Sequence, residues 1–198
     1  AVIIATLIGV PIGVYLGSYV KKDSTILVTM LNTAMGLPPV LVGLVVYLMI
    51  ARTGPLGNLQ ILFTPLAMIL AQSILTMPII IGVTRSSIKS LSPDFSDTVY
   101  AMGATKSQHF FLTIEETRYD ISIAIILAFG RAISEVGAII IVGGNIKFHT
   151  RVLTTAIITE ISKGQNEFAL ALGVILLSIS YTITFIMTSI QFRSNRYK

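Results

Sequence analysis

Long stretches with few or no charged side chains are the feature that most constrains this 198-residue chain. Roughly 20 apolar residues in a helix cross the hydrocarbon core of a bilayer, about 30 Å thick. Five stretches meet that length: Ala1–Val20, one within Ser24–Ala51, one within Thr53–Thr84, one starting near Ile121, and Phe168–Phe192. Composition agrees, since 54% of residues are hydrophobic and only 12% charged, about half the charged share of a soluble domain. The chain is therefore expected to be an all-α, polytopic membrane helix bundle, one domain over residues 1–198. The first stretch lacks a basic leading region and an obvious cleavage site, which favours a span over a signal peptide.

The net charge of +5 does not indicate nucleic acid, because the basic residues are scattered between apolar runs instead of gathered on one face. They are better used for topology. Lys21, Lys22, Arg85, Lys89, Lys106, Arg118, Arg193, Arg196 and Lys198 fall on one side, while Arg52, Lys147, Arg151 and Lys163 fall on the other. Nine against four places the 85–118 loop and the C-terminus in the cytoplasm by the positive-inside rule, and Ala1 outside. An outside start already within an apolar run leads us to expect a sixth helix upstream.

The 85–118 loop carries the longest polar stretch. Ser92 is placed as an N-cap, Pro93 as the first helical residue, and Asp94 in the first turn, where the helix dipole favours a negative charge. Phe95, Val99 and Met102 recur at i, i+4 and i+7 as one apolar stripe, and Gly103 stands where a left-handed terminating residue belongs. Thr105 and Gln108 have the spacing of a capping box that opens a second helix toward Phe110, Phe111 and Ile114. The loop reads as an elbow of two short helices, or as an amphipathic loop lying on the headgroups.

At this point the chain resembles the permease subunits of ABC importers. Their cytoplasmic loop carries Glu-Ala-Ala, three residues and Gly; in DTVYAMGATKSQHFFLTI, Asp97, Thr98 and Val99 stand at the first three positions and Gly103 at the Gly. Asp replaces Glu, neither alanine is kept, and Glu115-Glu116 replace the usual Leu-Pro. The segment LAFGRAISEVGAIIIVGGNIKFHTRVLTTAI is similar to permeases for oxyanions, most closely those of tungstate and molybdate importers. The resemblance implies that Asp97, Thr98, Val99, Ala101, Met102, Gly103, Ala104 and Thr105 form a coupling element seated in a cleft of an ATPase subunit. It also implies a second copy of this chain, two ABC ATPases that bind ATP and Mg, an extracellular or periplasmic solute-binding protein, and a prokaryotic cytoplasmic membrane. No cofactor is expected in this chain. The Phe95, Val99 and Met102 stripe then either seats in the partner or packs back onto the bundle.

Arg131 and Glu135 are the charges inside the fourth span, and neither should face lipid. At i, i+4 they share a helix face and can neutralise each other. They form a structural pair, or else Arg131, with Ser134 nearby, lies beside the anion route. Gly143, Gly144 and Asn145 could offer backbone N–H groups to an anion, with Lys147 and Arg151 adding positive potential; the alternative is an interfacial helix with ordinary loop glycines. A helical pattern follows from Thr150 to Lys163, with Val152, Ala156 and Ile157 on one side. Gly36–Pro39 and Thr76–Pro78 should kink their spans. Gly36 and Gly43, and Gly130 with Ser134 and Gly137, permit close helix contact. His149 is read as solvated, because a metal needs companion ligands.

No Walker loop is present, so ATP hydrolysis falls to a partner and the chain is not expected to be an enzyme. The main rival is an ion-coupled secondary transporter, which would also hold charges at mid-membrane. A scaffold bundle without solute flux is the third class.

Overall fold

A computed structural model of the chain describes residues 1–20, 25–92 and 94–195. Lys21, Lys22, Pro93, Arg196 and Lys198, used above for orientation or capping, lie outside the described residues. Ten α-helices occur among those described, and no strand: α1 (Val2–Ser18), α2 (Thr25–Met35), α3 (Pro39–Ile50), α4 (Pro65–Lys89), α5 (Asp94–Ala101), α6 (Lys106–Glu116), α7 (Arg118–Ile133), α8 (Gly137–Gly143), α9 (Leu153–Ser162) and α10 (Asn166–Asn195).

Two of these, α4 and α10, are long and apolar enough to cross a membrane unaided. The second and fourth expected spans are each broken. Helices α2 and α3 meet at 91°, and α7 and α8 at 61°. The first break is written in Leu37-Pro38-Pro39, because a residue before proline is driven out of the α region and Pro39 is instead suited to open the next helix. Pro38 has φ −61° and ψ 125°, extended as this rule demands. The expected kink at Thr76–Pro78 does not break its helix: α4 runs through Pro78 without interruption. Thr76 Oγ1 donates to the Gln72 carbonyl at 2.8 Å and Ser73 Oγ to the Ile69 carbonyl at 2.7 Å, hydroxyl bonds that accompany the proline turn. The helix also passes the expected boundary at Thr84, since charge marks where the bilayer ends and not where backbone hydrogen bonding ends.

The most extensive packing is between α1 and α4. Gly9, Gly13 and Gly17 form one face of α1; a Cβ at Gly13 would stand 2.7 Å from the Thr84 Cβ, and one at Gly17 2.8 Å from the Ile88 Cβ. Without a hydrophobic force between helices in lipid, such backbone approach supplies the dispersion contact that holds them. The second close approach is α3 on α8, where a Cβ at Gly43 would meet the Ala138 Cα at 2.6 Å and one at Gly137 the Val40 Cγ2 at 2.7 Å. Of the glycines read as contact points, Gly43 and Gly137 serve so. Gly36 meets only carbonyls of its own preceding turn, and Gly130 meets nothing within 4 Å.

Two apolar cores result. One joins Val42, Val46, Ala71, Leu75, Ile139 and Val142 from α3, α4 and α8. The other joins Val10, Val14, Ile80, Ile88, Ile121 and Ala128 from α1, α4 and α7. Helix α9 turns threonine inward: Thr154, Thr155 and Glu160 are buried, whereas Ile158 and Ile161 are exposed. Val152, Ala156 and Ile157 are therefore not its buried face. The phase follows from hydrogen bonding to a broken neighbouring span, described next.

Candidate functional site: a coupling elbow and two facing helix breaks

The elbow forms with the chemistry its sequence carries. Helix α5 ends in a Schellman motif, in which the Ala104 N–H reaches the Val99 carbonyl at 3.3 Å and the Gly103 N–H reaches Tyr100 at 3.0 Å. Gly103 sits at φ +83°, and nothing lies within 4 Å of the Cβ it lacks, so backbone conformation alone calls for glycine here. The capping box is also present. The Thr105 N–H donates to Gln108 Oε1 at 2.8 Å, and the Gln108 N–H to Thr105 Oγ1 at 3.3 Å.

Helix α6 has two faces. Phe110 and Ile114 pack against the second core, and His109, Thr113 and the following Thr117 are buried. Phe111 and Leu112 point outward and, with Val99, Met102, Gly103, Ala104, Gln108 and Glu115, line an open groove of about 500 Å³. The apolar stripe divides: Val99 is buried, while Met102 is 81% exposed. Asp97, Thr98, Ala101 and Thr105 are exposed beside it, and Ala104 is half-buried. Met102 is thus the stripe residue left exposed.

His109 is absent from the residues picked out by pattern. Its ring stacks on Tyr100 with centroids 4.8 Å apart, lies 6.1 Å from both Phe95 and Tyr19, and its Nε2 is 3.1 Å from Ser96 Oγ. Burial holds its imidazole below the ordinary value of 6.5. The available signal was position, because His109 lies on the same face of α6 as Thr113 and next to Phe110, the bundle side.

Arg131, Ser134 and Glu135 gather at the break between α7 and α8. The expected Arg131–Glu135 pair is not formed, because α7 stops at Ile133 and the i, i+4 geometry ends with it. Arg131 Nη2 instead donates to the Leu37 carbonyl at 3.2 Å, in the break between α2 and α3. Its buried Nε has no partner. Glu135, 5% exposed, accepts from the Ala138 N–H at 3.0 Å and so caps the first turn of α8. Thr154 Oγ1 donates to the Glu135 carbonyl at 3.0 Å, Gln72 Nε2 to the Ala132 carbonyl at 3.0 Å, and Ser134 Oγ to the Gly130 carbonyl at 2.9 Å. Irregular backbone at membrane depth needs such substitutes for helical bonds.

Gly143, Gly144 and Asn145 lie at the opposite end of α8, separate from that cluster. They do not form an open anion cradle. A Cβ at Gly144 would strike the Phe63 ring at 2.8 Å, and one at Gly143 would meet Met68 at 3.0 Å. Gly144, at φ +70°, closes α8, and the Phe63 N–H takes the Val142 carbonyl at 2.9 Å. Asn145 ties the loop together: its Nδ2 donates to Thr159 Oγ1 at 2.8 Å, and its Oδ1 accepts from Arg151 Nε at 3.1 Å. Arg151 also edges a cavity of about 580 Å³ between α4, the α7–α8 break, α9 and α10, with Gln72, Ala132 and Thr154 in its wall. Lys147 is exposed, with its Nζ 4.9 Å from the Phe148 ring centre. Among the described residues no cluster of three His, Asp or Glu side chains could hold a metal.

Residues 9–196 match the family described as the inner membrane component of binding-protein-dependent transport systems. A probable anion ABC transporter permease protein of Haloferax volcanii is 44% identical over 90% of this chain and 79% of its own length. The tungstate uptake system permease protein of Peptoclostridium acidaminophilum is 41% identical over 96% of this chain and 84% of its own. Its counterpart in Campylobacter jejuni is 37% identical over 78% and 65%. The match over residues 9–196 and these identities place the chain in the family of inner-membrane permease components of binding-protein-dependent ABC transporters.

Proposed function

We propose that this chain is the permease subunit of an ATP-driven importer of tungstate, working as a homodimer with two ATPase subunits and an external solute-binding protein. The observation that carries the substrate is the 41% identity to a tungstate permease across 84% of that protein. The ion-coupled secondary transporter is not favoured, since the family works in binding-protein-dependent systems.

In this reading the elbow faces the cytoplasm, and its exposed groove around Met102 seats in the ATPase. Nucleotide binding draws the elbows of the two copies together, and the broken spans reorient to alternate access. Arg131, which joins the α2–α3 break to the α7–α8 break, lies beside the anion route and supplies the positive charge that a dianion meets there. The test is ATP hydrolysis by the complex reconstituted with its ATPase and binding protein. Tungstate is expected to stimulate hydrolysis above molybdate and sulfate, and uptake to stop on ATP depletion while surviving collapse of the proton gradient. Stimulation by sulfate alone would refute the substrate, and loss of uptake with the proton gradient would refute the mechanism.

A further inference from the structure

Helix α5, the leading arm of the elbow, has eight residues and buries only Val99. A helix of two turns is not stable in isolation, so its orientation depends on what it touches. Those contacts converge on one side chain of α6. His109 is 2% exposed; it stacks on Tyr100, sits by Phe95, and meets Ser96 through Nε2, all three on α5. The ring's other neighbour, Tyr19, belongs to the end of α1, and the Tyr19 hydroxyl reaches the Lys106 carbonyl at 3.5 Å, at the outer limit of a hydrogen bond. One imidazole thus touches both arms of the elbow and the helix that packs most closely on α4. Phe110 and Ile114 dock α6 itself, and the other hold on α5 is again Tyr19, whose side chain also hydrogen-bonds that of Tyr100.

We propose that His109 is the positioning residue of the elbow: it clamps α5 to α6 and to the end of α1, so that displacement of α5 by the ATPase reaches the α1–α4 pair. This rests on the coupling role proposed above. Without the ring, α5 still presents Asp97, Thr98 and Met102 to the partner, but pivots at Gly103 instead of carrying the bundle with it. The movement is then spent within the elbow.

The test uses the full chain in vesicles with its ATPase and binding protein, and reads tungstate taken up per ATP hydrolysed. His109→Ala and Tyr19→Ala are each expected to lower that ratio about tenfold, and the double variant no further, as for residues acting through one contact. His109→Phe, which keeps a ring against Tyr100, recovers most of the ratio. A role confined to folding would instead lower the amount of assembled complex and leave the ratio unchanged, and that result overturns the proposal. So does a double variant in which the two losses multiply. Should His109→Ala fail to assemble, His109→Leu takes its place with the same two readings. An unsubstituted complex that moves no tungstate overturns the proposed function and this inference with it; an active complex with unaltered ratios in the variants overturns the inference alone.

Discussion

Arg131 is held at the junction of two broken spans by a single hydrogen bond to the Leu37 carbonyl, with its buried Nε unpartnered. A guanidinium in such a place costs about 2.5 to 3.5 kcal/mol on insertion scales, which argues for a use beyond packing. Arg131→Lys is expected to keep the charge but lose the fork geometry; uptake should fall at least about tenfold while the complex still assembles, because Lys and Arg are not interchangeable at a directed contact. Unaltered uptake kinetics would show that the guanidinium fork is dispensable at this site. His109 makes a pH prediction. Burial lowers its folded pKa, so the docked elbow binds a proton less readily than the undocked one. Docking is therefore full above about pH 6.5 and is lost as pH falls through the lower folded value. The titratable side chains against it are the phenols Tyr19 and Tyr100, and burial raises the Tyr19 hydroxyl above its ordinary value of 10.0. Protection of α5 against hydrogen exchange, corrected for the intrinsic pH dependence, should fall as pH drops below about 6.5, and His109→Phe should flatten that dependence.

At the scale of elements, backbone geometry decides the outcome. Gly103→Ala puts a side chain at φ +83° and is expected to destabilise the end of α5 by about 1 kcal/mol, read as faster exchange in the elbow with the spans unaffected. The α1–α4 contact is different in kind, since there the missing Cβ is excluded by a neighbour. Gly13→Ala drives a methyl to 2.7 Å from the Thr84 Cβ and should cost about 1 to 3 kcal/mol by overpacking, seen as a lower melting temperature in detergent. Gly130→Ala, with open space around it, is expected to change the melting temperature little. The same residue type thus does three different jobs, and only the surroundings distinguish them.

At the scale of the whole molecule, the orientation inferred from Lys and Arg can be checked directly. The chain contains no cysteine, so single cysteines report without background. Phe148→Cys, at a site 95% exposed, should react with an impermeant maleimide added to intact cells, whereas Met102→Cys, at a site 81% exposed, should react only after permeabilisation. The reverse pattern would invert the topology and remove the elbow from any cytoplasmic ATPase.

The sequence by itself determined the helical bundle, the place of the elbow and its internal chemistry. Long apolar runs, the left-handed glycine at 103 and the Thr105–Gln108 box act over a few residues, so they can be read in one dimension. The 91° break at Leu37-Pro38-Pro39 was foreshadowed for the same reason, though only as a kink. Tertiary structure alone decided what the charged and small residues do. Arg131 takes a carbonyl 94 positions away in place of Glu135, because ending α7 two residues later cancels their shared face. Gly143 and Gly144 receive Met68 and Phe63 instead of an anion, and the buried face of α9 is its threonine side, because the carbonyl that needs a donor lies on the neighbouring broken span. Each of these outcomes depends on which distant group must be satisfied in a medium without water, and no local pattern carries that information.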